Sequence, residues 1–134
     1  MEGPAESSME DTETEPAMEL FDTTQLGLER AIAGAAQRHE ALAGNLANAN
    51  TPGYAPKDVD FHGALRAAFA SGRDAVATAA FTVTSQPGVM RADGSGVDVD
   101  ATAAQVAQNG LDHQSLVSVA RGRIDILESA MGVR

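Results

Sequence analysis

Asn45-Leu46-Ala47-Asn48-Ala49-Asn50-Thr51-Pro52-Gly53-Tyr54 is the stretch that decides how this chain folds. A long apolar-periodic segment runs into it, and the sequence changes character beyond Tyr54. Asn48 and Asn50 are of the non-glycine type that best tolerates a left-handed helix cap, so either is expected to end the helix in that conformation. Pro52 drives Thr51 out of the helical region, and Pro-Gly suits the centre of a type II turn, whose third position needs positive φ. The stretch therefore predicts a helix stopped tightly near residue 50, with Tyr54 as a partly apolar anchor just past the turn.

Upstream, alternating steps of four and three from Phe21 pass through Gln25, Leu28, Ile32, Ala35, His39, Leu42, Leu46 and Ala49. This heptad seam, with Glu29, Arg30, Arg38 and Glu40 off it, predicts a first helix over about 22–50 that asks for a coiled-coil partner. Asp22 followed by Gln25 resembles a capping box and is expected to start it. Downstream, Asp98 or Asp100 can cap a second helix over about 98–131. Its seam runs through Val99, Ala103, Val106, Gly110, His113, Val117, Ala120, Ile124, Leu127 and Met131. Gly110 and Gly122 should soften this helix or mark close approach of its partner.

Between the helices, residues 51–97 read as an irregular middle. Lys57-Asp58-Val59-Asp60-Phe61 alternates polar and apolar, and Asp60 can cap a brief helix from Phe61 to about Phe69 that Ser71-Gly72 breaks. Phe81-Thr82-Val83-Thr84 has strand composition but predicts no more than an isolated extended piece or a small hairpin. Asp93-Gly94-Ser95-Gly96 is a turn signal. The fold class expected is mainly α: two long terminal helices paired as an antiparallel coiled-coil hairpin, with a short, partly extended insert. Residues 18–134 would form one elongated domain. Residues 1–17 read as an acidic, disordered tail, and Met18 as an alternative start.

Hydrophobic residues make up 43% of the chain, but it has only four Phe, one Tyr and no Trp, and much of the apolar content is alanine. An alanine-rich interior buries little area against roughly 1–2 kcal/mol of backbone entropy per ordered residue, so neighbours are expected to complete the stability. No cysteine is present, which removes disulfides, thiolate nucleophiles and Cys-based zinc sites. The net charge is −10, of which the first 22 residues carry −8, so nucleic-acid binding by phosphate neutralisation is not expected. No apolar run is long enough to span a membrane, and the N-terminus lacks the basic and apolar regions of a secretory signal.

The chemistry-bearing residues are sparse. His39 and His113 lie on the two seams, where paired helices would bring them near one another, and His62 starts the middle helix. None has a metal partner at helical spacing. Asp98 and Asp100 read as caps rather than an acid/base pair, and Gly94-Ser95-Gly96 is too short for a phosphate loop. Neither catalysis nor a cofactor is expected.

The Asn45–Tyr54 stretch, with Leu46, Asn48, Asn50, Thr51, Pro52 and Gly53 in place, resembles the N-terminal signature of the flagellar rod and hook protein family. Lys57-Asp58-Val59-Asp60-Phe61 is similar to the B subgroup of the proximal rod. Val97-Asp98-Val99-Asp100 and Asn109 with His113-Gln114 resemble that subgroup's C-terminal segment. The match departs at Ser95-Gly96, at Ala103-Ala104 and at His113, where a tyrosine is common. The resemblance implies a non-catalytic subunit of the bacterial basal-body rod in the periplasm, exported through the type III apparatus without a cleaved signal. It implies helical assembly with itself and other rod proteins, next to membrane-ring and export-gate components. The residues alone also fit a soluble cytoplasmic helical-hairpin adaptor or chaperone.

Overall fold

The computed structural model describes residues 14–86, 92 and 94–132, with side chains from residue 22 onward. Its elements in chain order are α1 (Thr14–Ala47), β1 (Lys57–Val59), α2 (Phe61–Ser71), α3 (Arg73–Ala77), β2 (Val83–Ser85) and α4 (Val99–Ala130). The chain is mainly α. At 1.5 Å per residue, α1 and α4 are each about 50 Å long.

The first helix starts earlier than its sequence suggests. Asp22 is not its cap but an exposed interior residue, whose carboxylate pairs with Arg73 at the start of α3 (2.5 Å). The Glu, Ala, Met and Leu of residues 15–20 are strong helix formers, and Pro16 falls in the first turn, where its missing N–H had no partner to lose. Residues 14–17 of the expected tail are therefore helical; residues 1–13 lie outside the described residues.

The helix also ends differently. Among the described residues no non-glycine has positive φ, so neither Asn48 nor Asn50 forms a left-handed cap. Asn48 instead closes the last turn with its side chain, Nδ2 donating to the Gly44 carbonyl at 2.9 Å, while its backbone amide donates to the same carbonyl at 3.1 Å. The asparagine side chain thus adds a second hydrogen bond to a carbonyl of the last turn without the strain of the left-handed region. The turn that follows matches expectation: Gly53 has φ of 76°, and the Tyr54 amide donates to the Thr51 carbonyl at 3.3 Å.

The middle of the chain is more ordered than its composition suggests. β1 and β2 pair antiparallel with Lys57 opposite Ser85 and Val59 opposite Val83, and Gln86 N–H extends the ladder to the Pro56 carbonyl. They are not a small hairpin, because α2 and α3 lie between them. Asp60 caps α2 as expected, its carboxylate accepting from the Gly63 amide at 2.9 Å. Gly72, at φ 107°, separates α2 from the short α3. Asp98, not Asp100, caps α4 through the Ala101 amide at 3.1 Å. Of the turn expected at residues 93–96, Asp93 lies outside the described residues, while Gly94 takes φ of 81°.

The core sits where this insert lies against α1. Ala31, Ala35, Val59, Phe61 and Leu65 are buried together, and Phe81 meets the Phe61 ring edge-on at 6.2 Å between centroids. Small residues on α1 admit the aromatic ring. A methyl placed on Gly34 would stand 2.6 Å from Phe61 Cβ, so the ring lies almost on the helix backbone. Full burial of such a phenyl group contributes about 1.5–3 kcal/mol. Gly110 and Gly122 differ, since a methyl on either meets nothing within 4 Å. The close approaches expected on α4 occur on α1.

Candidate functional site

Asn45 is the centre of the motif region. It is 3% exposed, and its side chain reaches the strand that returns after the turn: Nδ2 donates to the Lys57 carbonyl at 2.7 Å, and Oδ1 accepts from the Lys57 amide at 2.8 Å. Those two backbone groups lie on the edge of β1 away from β2, so one amide side chain completes a ladder that a third strand would otherwise fill. The Tyr54 hydroxyl approaches the same Oδ1 at 3.5 Å. The turn is thus measured in length, from helix residue 45 to strand residue 57, by a single side chain.

Two turns back on α1, Arg38 fixes the next residue of the strand. Its Nε and Nη2 donate to the two Asp58 oxygens at 2.8 and 3.1 Å, and Asp58 Oδ1 also accepts from the Val59 amide at 2.7 Å. Burial opposes the charged form of Asp58, but the Arg38 hydrogen bonds and charge together with the Val59 amide outweigh it, holding the carboxyl below its ordinary value. Hydrogen bonding to Asp58 raises the Arg38 pKa in turn, against its partial burial. Further clamps run along α1: Gln37 to the Phe81 carbonyl at 3.2 Å, and Arg30 to the Ala77 carbonyl.

The segment that leads into α4 returns to this turn. Ser95 Oγ donates to the Ala49 carbonyl at 2.6 Å and accepts from the Val97 amide at 3.2 Å, while Gly53 N–H donates to the Gly94 carbonyl at 3.0 Å. Gly96 lies against the Tyr54 carbonyl so closely that a methyl there would stand 2.9 Å from it. Farther along α4, Asn109 is fully buried and donates to the Ala35 carbonyl at 2.8 Å.

The motif residues singled out by sequence divide into two groups. Asn45 and Phe61 are buried and Tyr54 and Asp58 half-buried, whereas Asn50, Thr51, Pro52 and Gly53 form an exposed rim and the capping residue Asp60 is exposed as well. Leu46 and Asn48 are half-buried. Of the seam residues, Leu42 is fully buried; Leu28, Ile32, Val106 and Val117 are half-buried; Val99, Ile124 and Leu127 are 42%, 46% and 42% exposed. The covered face of α1 keeps Ala35 and Leu42 of the seam, both fully buried, and widens to Gly27, Ala31, Gly34 and Asn45, about 100° around the helix, because the insert covers that flank. On α4 the covered line keeps Val106, His113 and Ala120 but passes through Thr102, Asn109 and Leu116 between them.

His39 and His113 both line one groove between α1 and α4, of about 340 Å³, with Ala36, Asn109 and Gly110. Among the described residues no three His, Asp or Glu side chains come together as metal ligands, and no helix is long and apolar enough to cross a membrane. Sequence reading missed Arg38, which looked like a solvated charge, and the receiving glycines Gly27 and Gly34. The seven-residue spacing of those glycines, with Ala31 between them, was the available signal.

Comparison with known proteins places this geometry in context. Residues 28–54, from mid-α1 to the end of the turn, match the family described as flagella basal body rod protein. The chain is 37% identical over 108 residues to the flagellar basal body rod protein FlgB of Escherichia coli K12, covering 66% of this chain and 78% of that one. It is 34% identical over 116 residues to FlgB of Salmonella typhimurium (69% and 84%) and 29% over 126 residues to FlgB of Bacillus subtilis (85% and 97%).

Proposed function

Because the chain belongs to the flagellar basal body rod protein family, alongside the FlgB proteins, we propose that it is a structural, non-catalytic subunit of the proximal rod that assembles helically into the hollow drive shaft. The observation that carries this reading is the exposure of Leu111, Val119, Ile124, Ile126, Leu127 and Met131 along one helix of such a protein. A monomer gains nothing from wetting that much apolar surface, whereas a packed shaft buries it.

In this reading α1 and α4 act as an antiparallel coiled-coil hairpin. Support comes from the order of their contacts: Ser95 meets Ala49, Asn109 meets Ala35, and Leu116 packs on the cluster containing Ala31. The seam residues that the monomer leaves half-covered or exposed, Val99, Ile124 and Leu127 among them, are then completed by neighbouring subunits. The Asn45-centred turn sets where the inner helices end and presents Tyr54 to Phe61 at a fixed angle to the next subunit. Partners would be further copies, other rod proteins and the membrane-ring and export-gate components at the base of the rod. The chain would reach the periplasm through the type III export apparatus, without a cleaved signal peptide.

Deletion of the gene, with complementation, tests the proposal. Loss of swimming and of rods in purified basal bodies, both restored by the intact gene, is the expected result. Normal swimming and normal rods in the deletion strain would overturn it.

A further inference from the structure

Two surfaces on opposite flanks of α4 complement each other. The first is a ridge formed by Leu111, Val119 and Ile126, which are 65%, 53% and 66% exposed. At 100° per residue these three fall within an arc of about 80° on the side away from Gly110, His113 and Val117. Within that arc every residue from Ala101 to Ser129 is uncharged, including Ser115 and Gly122 between the knobs. Charged residues normally cover an exposed helix face, so their absence along α4 marks a face that is dry in use.

The second surface is the groove on the other flank, between α1 and α4. Its floor is made of small residues, Ala35, Ala36 and Gly110, and its rim of His39 and His113. Gly110 leaves open space above it, since a methyl there meets nothing within 4 Å. A floor of this kind takes a large aliphatic knob and lets the helix that carries it approach closely.

We propose that the Leu111–Val119–Ile126 ridge of one copy seats in the α1–α4 groove of a second copy. A ridge and a groove on opposite flanks cannot satisfy one another within a closed two-fold dimer. They join head to tail, and each added copy presents a fresh ridge, so the contact propagates. This inference rests on the reading of the chain as a rod subunit and names the faces through which its copies meet. Neither surface is charged at its centre, so the contact depends on shape and apolar burial and is insensitive to salt.

The chain has no native cysteine, so single introduced thiols report single positions. Cells co-expressing Val119→Cys (ridge) and His39→Cys (groove rim) chains are expected to yield basal bodies in which a short bis-maleimide joins the two. Either variant alone should give at least tenfold less dimer. Adding Ile126→Glu to the ridge variant should lower the cross-linked fraction at least tenfold while the helical melting curve of the purified chain stays in place. Efficient Val119-to-Val119 cross-linking, cross-linking only to a different rod protein, or no cross-linking in assembled rods would each overturn the contact. Those outcomes leave the rod assignment intact if the parent gene restores rods; failure of the parent gene to do so removes that assignment instead.

Discussion

Asn45 and Lys57 are joined by two hydrogen bonds, 2.7 and 2.8 Å long, in which a helix side chain takes the place of a strand backbone. Asn45→Ala removes the partner of a part-buried amide and carbonyl of β1, at a cost of about 1 kcal/mol for each lost hydrogen bond. The expected result is a fall in urea midpoint with largely retained helicity. Asn45→Asp should destabilise at least as much, because it sets a buried carboxylate oxygen against the Lys57 carbonyl. Equal stability of Asn45→Ala and the parent would show that water replaces the side chain at no cost.

The Arg38–Asp58 pair makes stability depend on acid. The folded Asp58 carboxyl lies below its ordinary value, so its contribution is fully present above the unfolded pKa, about 3.9, and is lost as pH falls through the folded value. Asp58→Asn should destabilise the chain at pH 7 and flatten the loss of stability as pH falls below about 4. Denaturation midpoints measured across that range would reveal it. An unchanged acid limb would assign the loss to other carboxylates.

Gly34→Ala and Gly122→Ala should move stability in opposite directions. Alanine favours a helix interior by about 1 kcal/mol over glycine. At Gly122 nothing opposes that gain, whereas at Gly34 the new methyl meets Phe61 Cβ at 2.6 Å, and overpacking costs about 1–3 kcal/mol. Thermal melting of the two variants, monitored by circular dichroism, should bracket the parent.

Pro52→Ala with Gly53→Ala should impair rod assembly more than synthesis or export. Alanine at the φ of 76° found at Gly53 costs roughly 1–2 kcal/mol, and the loss of Pro52 frees the turn. Subunit recovered from export assays, compared with rods counted in basal-body preparations, separates the two steps. Normal rods from exported double variant would reduce the turn to a linker.

Much of this molecule was legible in local chemistry. The caps at Asp60 and Asp98, the Pro52-Gly53 turn and the break at Gly72 all follow from residues that act within four positions of themselves. What was not legible came from contacts distant in sequence. Nothing near Arg38 announces that Asp58 will face it, and nothing in Val83-Thr84-Ser85 names Lys57-Asp58-Val59 as its partner across two intervening helices. The seam reading caught Ala35 and Leu42, which are fully buried, but it also took in the half-buried Leu28 and Ile32 and passed over the buried Gly27, Ala31 and Gly34. A face that must receive an aromatic ring is selected for smallness, and a hydrophobic period cannot register that.

The insert is anchored to α1 at Asp22, Arg30, Gln37, Arg38 and Asn45, along about 35 Å of that helix. Mechanically, the helix and its insert behave as a splinted beam. A sideways push on the insert is divided among five attachment points over about 35 Å and cannot peel the insert away from one end. In the proposed shaft, such a subunit would meet twist by loading several short levers at once rather than one.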